Sequence, residues 1–295
     1  MNPIPQHSGE RDRPLAAGHP PQQWVVINAD DFGLSPSVNR AIIQAHQRGV
    51  LTSTSLMVTG DACAEAVALA KANPSLAVGL HLVLTCGKSA LPPSQVPHLV
   101  NAQGEFSNSA AWAGLRYQFS RAARRELKQE IRAQLEKFRQ TGLPLSHVDG
   151  HLHLHVHPLV LRYLAELAPE FGIRYVRLPY EELKFTLNLD LSNLFNKLLW
   201  SVVFGKLHQT GKRILQSQGI DCPDRVYGLL QTGQITEDYL LRLIPQIRSP
   251  RVELYAHPDD LPNTAGFTEL QALLSDRVRS QLAEQGWQRV NYLQL

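Results

Sequence analysis

At 295 residues the chain has room for one large α/β domain or two modest ones with a substantial hydrophobic core, which excludes a peptide or a disulfide-stapled mini-fold. Hydrophobic residues make up 43% and charged residues 19%, the composition of a globular protein rather than a disordered one. Lysine and arginine total 29 against 26 acidic residues, and a formal charge of +3 is too small and too scattered to predict a nucleic-acid partner.

Residues 1–23 hold five prolines and no apolar run, which predicts a disordered tail rather than a signal peptide. The ordered part opens at Trp24 with a β-branched run to Ala29, followed at once by Asp30-Asp31-Phe32-Gly33. Ser35 and Pro36 then start a helix that Gly49 stops. The alternation continues with a strand at Ser53 to Val58, a helix from Asp61 to Ala72 and a strand from Leu76 to Leu82 that carries His81. Residues 85–120, rich in proline and glycine, are too long for a simple connection and read as an irregular insertion over one end of the fold.

A helix from Arg121 to Thr141 shows Leu127, Ile131, Leu135 and Phe138 at helical spacing, with a strand at Leu145 to Asp149 after it. The basic run Arg121, Arg124, Arg125 and Lys128 is interrupted by Glu126 and Glu130 and reads as a solvated helix face. Next come a helix from Pro158, a strand at Ile173 to Arg177 and a long apolar helical region spanning about 187–218. Asp190 and Lys197 break that region, so it predicts no membrane span. A strand at Arg225 to Leu229, a helix from Thr236 to Ile247, a strand at Arg251 to Ala256, a helix from Glu269 to Glu284 and a short strand near Val290 complete the chain. Seven or eight such units without a second linker predict a single (β/α) barrel over residues 24–295.

Reactive groups of a β/α barrel sit where strands end. Asp30-Asp31, His81, Asp149-Gly150-His151 and His257-Pro258 all fall there. Each alone is weak, since a strand-end aspartate often caps a helix and His81 between Leu80 and Leu82 suits a hydrogen-bonded core. Together they make a carboxylate and imidazole set suited to one divalent metal ion. Neighbouring strand residues face opposite ways, so Asp30 and Asp31 can both aim inward only where strand geometry ends, and Gly33 permits that turn. Two adjacent carboxylates allow a division of labour, one holding metal and the other acting as base.

Five histidines, His147, His151, His153, His155 and His157, fall within eleven residues. An unbroken strand would put them on one face, but Gly150 and Pro158 argue that only those near the strand end reach a metal. His153, His155 and His157 read as cleft-lining or supporting residues rather than ligands. The three cysteines, Cys63, Cys86 and Cys222, are odd in number and lack a CxxC, so no disulfide framework is predicted and a reducing, cytoplasmic compartment fits.

Asn28-Ala-Asp-Asp-Phe-Gly-Leu34, Thr52-Ser-Thr-Ser55, Val78-Gly-Leu-His81 and His147-Val-Asp-Gly-His151 resemble, in order, the motifs of the YdjC-like carbohydrate deacetylase family. Arg174 to Tyr180, Asp224 to Gly228, Thr232 to Thr236 and Glu253 to Pro258 look most like the branch associated with hopanoid lipid biosynthesis. The resemblance implies a distorted NodB/YdjC-like barrel and a magnesium or zinc ion held by Asp31, His81 and His151. Asp30 would be the general base and His257 the general acid, whereas His153 and His155 inherit no definite role from the resemblance; on the residues' own pattern they and Asp149 support the site or line it. The implied reaction is amide hydrolysis of an N-acetylated amino sugar, giving acetate and a free amine.

The hopanoid branch implies a lipid-linked sugar, and the wider family offers soluble chitooligosaccharides instead. A barrel that binds metal or sugar without turnover is the non-enzymatic alternative, against which the spare carboxylate of Asp30 weighs. The apolar sector at 187–207 reads either as a peripheral membrane contact at the inner face or as a helix packed on the barrel. The oligomeric state is left open by the sequence, a homodimer included.

Overall fold

The computed structural model describes residues 23–189 and 194–295. The expected disordered tail, but for its last residue, and residues 190–193 of the apolar region lie outside the described residues. In chain order the elements are β1 (Trp24–Phe32), α1 (Pro36–Arg48), β2 (Ser53–Leu56), α2 (Cys63–Ala72), β3 (Ala77–Leu82), α3 (Ala110–Phe119), α4 (Arg121–Gln140) and β4 (Val148–Gly150). They continue as α5 (Pro158–Phe171), α6 (Leu183–Leu189), α7 (Leu194–Gln216), β5 (Arg225–Tyr227), α8 (Glu237–Leu243), β6 (Arg251–Ala256), α9 (Ala265–Leu274), α10 (Asp276–Glu284) and β7 (Gln288–Arg289).

The strands pair in parallel in the order β4-β3-β2-β1-β6-β5, with β7 beside the start of β1. This is an α/β fold built on a parallel half-barrel sheet. β1 lies mid-path and is buried along almost its whole length, as its unbroken apolar run requires. Ser35 Oγ accepts the Val38 amide at 3.2 Å and Pro36 opens α1, whose Ala41, Ile42 and Ala45 are fully buried. Leu127, Ile131, Leu135 and Phe138 of α4 form one buried stripe, each contributing about 1.5–3 kcal/mol by removal from water.

Three expectations need correction. The expected strand at 173–177 is an irregular extended stretch joined to its neighbours by isolated bridges, and Pro179 denies it a further ladder donor. That stretch nevertheless lies between the sheet's two edges. Arg177 N donates to Val148 O, and Val226 N to Tyr180 O, both at 3.0 Å. The described sheet accordingly counts seven strands in a half-barrel, with this irregular stretch where a further strand was expected. Residues 85–120 are not wholly irregular: Ser109 Oγ accepts the Trp112 amide to start α3, and Tyr117 Oη donates to Leu84 O at 2.7 Å, tying the insertion to the core. The single helix expected over 269–284 is two, because Ser275 is extended and caps α10 through the Val278 amide.

Candidate functional site

β1 carries one extra residue opposite β2. Its register runs from Ala29 opposite Thr54 to Phe32 opposite Leu56, three positions on one strand against two on the other. This bulge re-aims the chain, and Asp31 takes φ of 65°, a left-handed conformation that among non-glycine residues favours asparagine and aspartate. Gly33 follows at φ 92°. Both carboxylates consequently reach the interior at the carboxyl end of the sheet, one to each of two clusters.

Asp31 serves the first cluster. Its Oδ1 lies 2.9 Å from His151 Nδ1 and 3.2 Å from His81 Nε2. His81 comes from the end of β3, and His151 opens a 3-10 turn over His151–Val156 directly after β4. Burial alone would raise the Asp31 carboxyl, but hydrogen bonds from His151 and His81 outweigh it and hold it well below the usual carboxylate range. The other ring nitrogen of His81 lies 2.7 Å from Asp149 Oδ1, which orients Nε2 toward Asp31. Burial opposes a charge on His81, yet Asp149 above all, with Asp31 and Asp30, pushes its pKa up to about 10.

Asp30 belongs to the second cluster, which is buried and meets the cavity only through Asp30. Arg177, fully buried, donates to both Asp30 oxygens at 2.7 Å, reaches Glu253 Oε1 at 2.6 Å and lies 2.9 Å from Asp149 Oδ2. Tyr292 Oη donates to the other Glu253 oxygen at 2.6 Å, and Asn28 Nδ2 donates to Asp30 Oδ1 at 3.0 Å. Burial pushes the Asp30 carboxyl up, but Arg177 outweighs it and the net shift is downward. Asp149 is held well below the usual range in the same way, by Arg177 and then His81 against its burial.

Two sets of side chains are close enough to hold a cation: Asp31, His81 and His151, and Asp30, His81 and Asp149. The second set already surrounds the Arg177 guanidinium, so a dication there would meet like charge. The first set presents one carboxylate and two imidazoles, and Asp31 and His151 are partly open. Its donor chemistry fits a divalent ion with free positions.

His257, just after β6, turns Nε2 toward Asp30 Oδ2 at 3.8 Å and Nδ1 toward Glu269 Oε2 at 3.9 Å. Glu269 Oε2 also accepts the His257 backbone amide at 2.5 Å. His153 lies 2.8 Å from Tyr255 Oη, and the Tyr255 ring sits under Arg177 at 4.6 Å. Leu152 and His153 both adopt left-handed φ, of 50° and 56°, which turns the chain so that His153 lines the cavity. His155 is buried and bonds the Arg177 carbonyl at 2.9 Å, and burial pushes its pKa down to about 4. His157 accepts the Leu159 amide at the start of α5.

A cavity of about 540 Å³ adjoins these groups. Asp30, His151 and His257 contribute polar atoms, whereas Leu154, Val203, Phe204, Leu207 and Leu229 make apolar wall.

The residues missed by sequence reasoning are Arg177, Glu253, Tyr255 and Tyr292. Their signal was present: Arg177 between Val176 and Leu178, and Glu253 between Val252 and Leu254, are charges set between buried apolar neighbours, the pattern that marked His81.

Several known proteins are similar to this chain. A carbohydrate deacetylase of Geobacillus stearothermophilus is 33% identical over 281 residues, 92% of this chain and 97% of that protein. A chitooligosaccharide deacetylase of Escherichia fergusonii is 30% identical, with 92% of this chain and 99% of that protein covered. The match to a carbohydrate deacetylase of Brevibacillus brevis is 45% identical but takes in only 53% of this chain and 59% of that protein. The crystal structure of an Enterococcus faecalis V583 protein, described as a candidate cellobiose-phosphate cleavage protein, superposes with a TM-score of 0.72 at 26% identity. That superposition covers 92% of this chain and 98% of the other. The model of the YdjC-like protein family matches residues 24–284, and the chain belongs to that family.

Proposed function

We propose that this chain is a divalent-metal-dependent hydrolase that removes the acetyl group from an N-acetylated amino sugar. The carrying observation is the pairing of an Asp31, His81 and His151 cluster with a separate carboxylate, Asp30, held by Arg177 at the same cavity. Names of relatives agree with the reading: two full-length ones are called carbohydrate and chitooligosaccharide deacetylases.

In this reading Asp31, His81 and His151 hold a magnesium or zinc ion, and Asp149 orients His81. Asp30, kept ionised by Arg177, accepts a proton from the water that attacks the acetyl carbonyl. A carboxylate of lowered pKa is a weak base, which suffices where a bound cation acidifies the water and polarises the carbonyl. His257 then gives a proton to the departing nitrogen, completing acetate and a free amino sugar, and His153 lines the bound sugar. Residues 24–295 act as one catalytic domain in the cytoplasm, with Ala110 and Ala111 of the insertion and Trp200, Val203, Phe204 and Leu207 of α7 at its mouth.

We further propose a lipid-linked sugar, such as an N-acetylglucosaminyl hopanoid. Val203, Phe204 and Leu207 offer a chain of sugars few hydrogen-bond partners, whereas they suit an apolar group beside the acetamide. Soluble chitooligosaccharides are the second reading, favoured by the relatives' names. Acetate release from di-N-acetylchitobiose and from a lipid-linked N-acetylglucosamine, measured side by side after chelation and metal restoration, separates them. Release from the soluble substrate alone removes the lipid assignment, and release from neither removes the deacetylase.

A further inference from the structure

We propose that α3 and α7 together form a docking surface for an anionic lipid bilayer. The inference deepens the lipid-linked reading above, since such a substrate would be drawn from a membrane.

α7 is apolar on two faces. Val203, Phe204 and Leu207 line the cavity, while Phe195, Leu198, Leu199 and Val202, spaced as one stripe by helical periodicity, remain in solvent. Phe195 is 77% exposed and Val202 59%. An apolar helix face is normally covered, and among the described residues only one of these two faces is. No helix of the described residues is long and apolar enough to cross a membrane, so the outer stripe suits a surface rather than a span.

α3, from the insertion, repeats the arrangement. Ala110 and Ala111 line the same cavity, and Trp112, Leu115 and Phe119 form an outward stripe, with Trp112 61% and Phe119 77% exposed. Both helices pack on the 151–156 turn that carries His151 and His153. Two uncovered apolar stripes thus accompany the cavity that reaches the candidate site.

Charge selects the occupant. The whole chain is nearly balanced, yet residues 110–125 and 194–216 contain no aspartate or glutamate. They do contain the exposed Arg121, Arg125, Lys206 and Arg213. A second copy docking on this face would bring like charges together, whereas anionic headgroups complement them while the aromatic rings enter the acyl boundary.

The test is co-sedimentation of the full chain with vesicles of phosphatidylcholine alone and of phosphatidylcholine with phosphatidylglycerol. Binding is expected to the anionic vesicles, weakening as salt rises. The Trp112→Ser, Phe119→Ser, Phe195→Ser, Val202→Ser variant should bind at least about 10-fold more weakly. Its thermal midpoint and its acetate release from di-N-acetylchitobiose should stay at wild-type values. Absence of wild-type binding at low salt overturns the proposal. So does undiminished binding by the variant, or a solution dimer that these substitutions dissociate. Vesicle binding by a protein that releases no acetate would support the docking surface and remove the deacetylase reading.

Discussion

The floor and the wall of one cavity are built on opposite principles. The floor packs Asp30, Asp149 and Glu253 around Arg177, all nearly or fully buried, while the wall presents Val203, Phe204, Leu207 and Leu229. Charges on the floor are fixed in place by one another before any substrate arrives, which suits chemistry. The wall has no directional bonds and suits recognition by shape and area. Substitutions should therefore act on turnover at the floor and on binding at the wall.

Asp30→Asn should have the largest effect, lowering acetate release by about 100-fold or more, the scale of a lost general base. Steady-state kinetics should show the loss in kcat with KM nearly unchanged, and a loss in KM alone would move Asp30 from chemistry to binding. Arg177→Met leaves Asp30, Asp149 and Glu253 without their shared cation and should destabilise the fold by about 3–5 kcal/mol, read by urea unfolding. A variant as stable as the parent would show that the floor is not held by this guanidinium.

At the wall, Leu207→Ser should raise KM for a lipid-linked sugar by roughly 3- to 10-fold, in keeping with partial loss of one apolar contact. The same variant should treat di-N-acetylchitobiose as the parent does. Equal losses on both substrates would dissolve the distinction between floor and wall.

Glu130 gives the most discriminating contrast. It is a buried carboxylate without a guanidinium, held by the Ala90 and Leu91 amides at 2.7 and 3.0 Å and by Gln134 at 2.8 Å. Burial raises its pKa despite those bonds, whereas Arg177 lowers that of Asp30. An acid with a raised folded pKa binds more protons folded than unfolded, so its contribution to stability falls as pH rises from about 4.3 through the raised value. Glu130→Gln, which turns an amide nitrogen toward one of the two backbone donors, should lower stability by about 1–3 kcal/mol and flatten that decline in thermal melts between pH 4 and 7. A steeper decline in the variant would contradict the burial argument.

Much of the floor was legible because its signals are local. Gly33 after two aspartates announces a turn that lets both point inward, and His81 between two leucines is a polar group on a buried strand. Arg177 and Glu253 carry the same mark but stood in runs read only for their apolar neighbours. Their meaning depends on Asp30 and Asp149 arriving from distant strands with charge that needs compensation. α3 was hidden because the prolines and glycines before it dominate the segment, although Ser109 caps it and Tyr117 anchors it. The break at Ser275 was hidden by apolar spacing that continues across it, since a serine cap is visible only once the backbone leaves the helix.

Asp31 is expected to hold a metal ion and Asp30 to stay free of it. Metal content per chain after equilibrium dialysis against zinc, measured for wild type, Asp31→Asn, His151→Ala and Asp30→Asn, tests this assignment most directly. One ion is expected in wild type and in Asp30→Asn, with affinity reduced at least about 10-fold in the other two. Loss of the ion in Asp30→Asn, or its retention at full affinity in Asp31→Asn and His151→Ala, would contradict it.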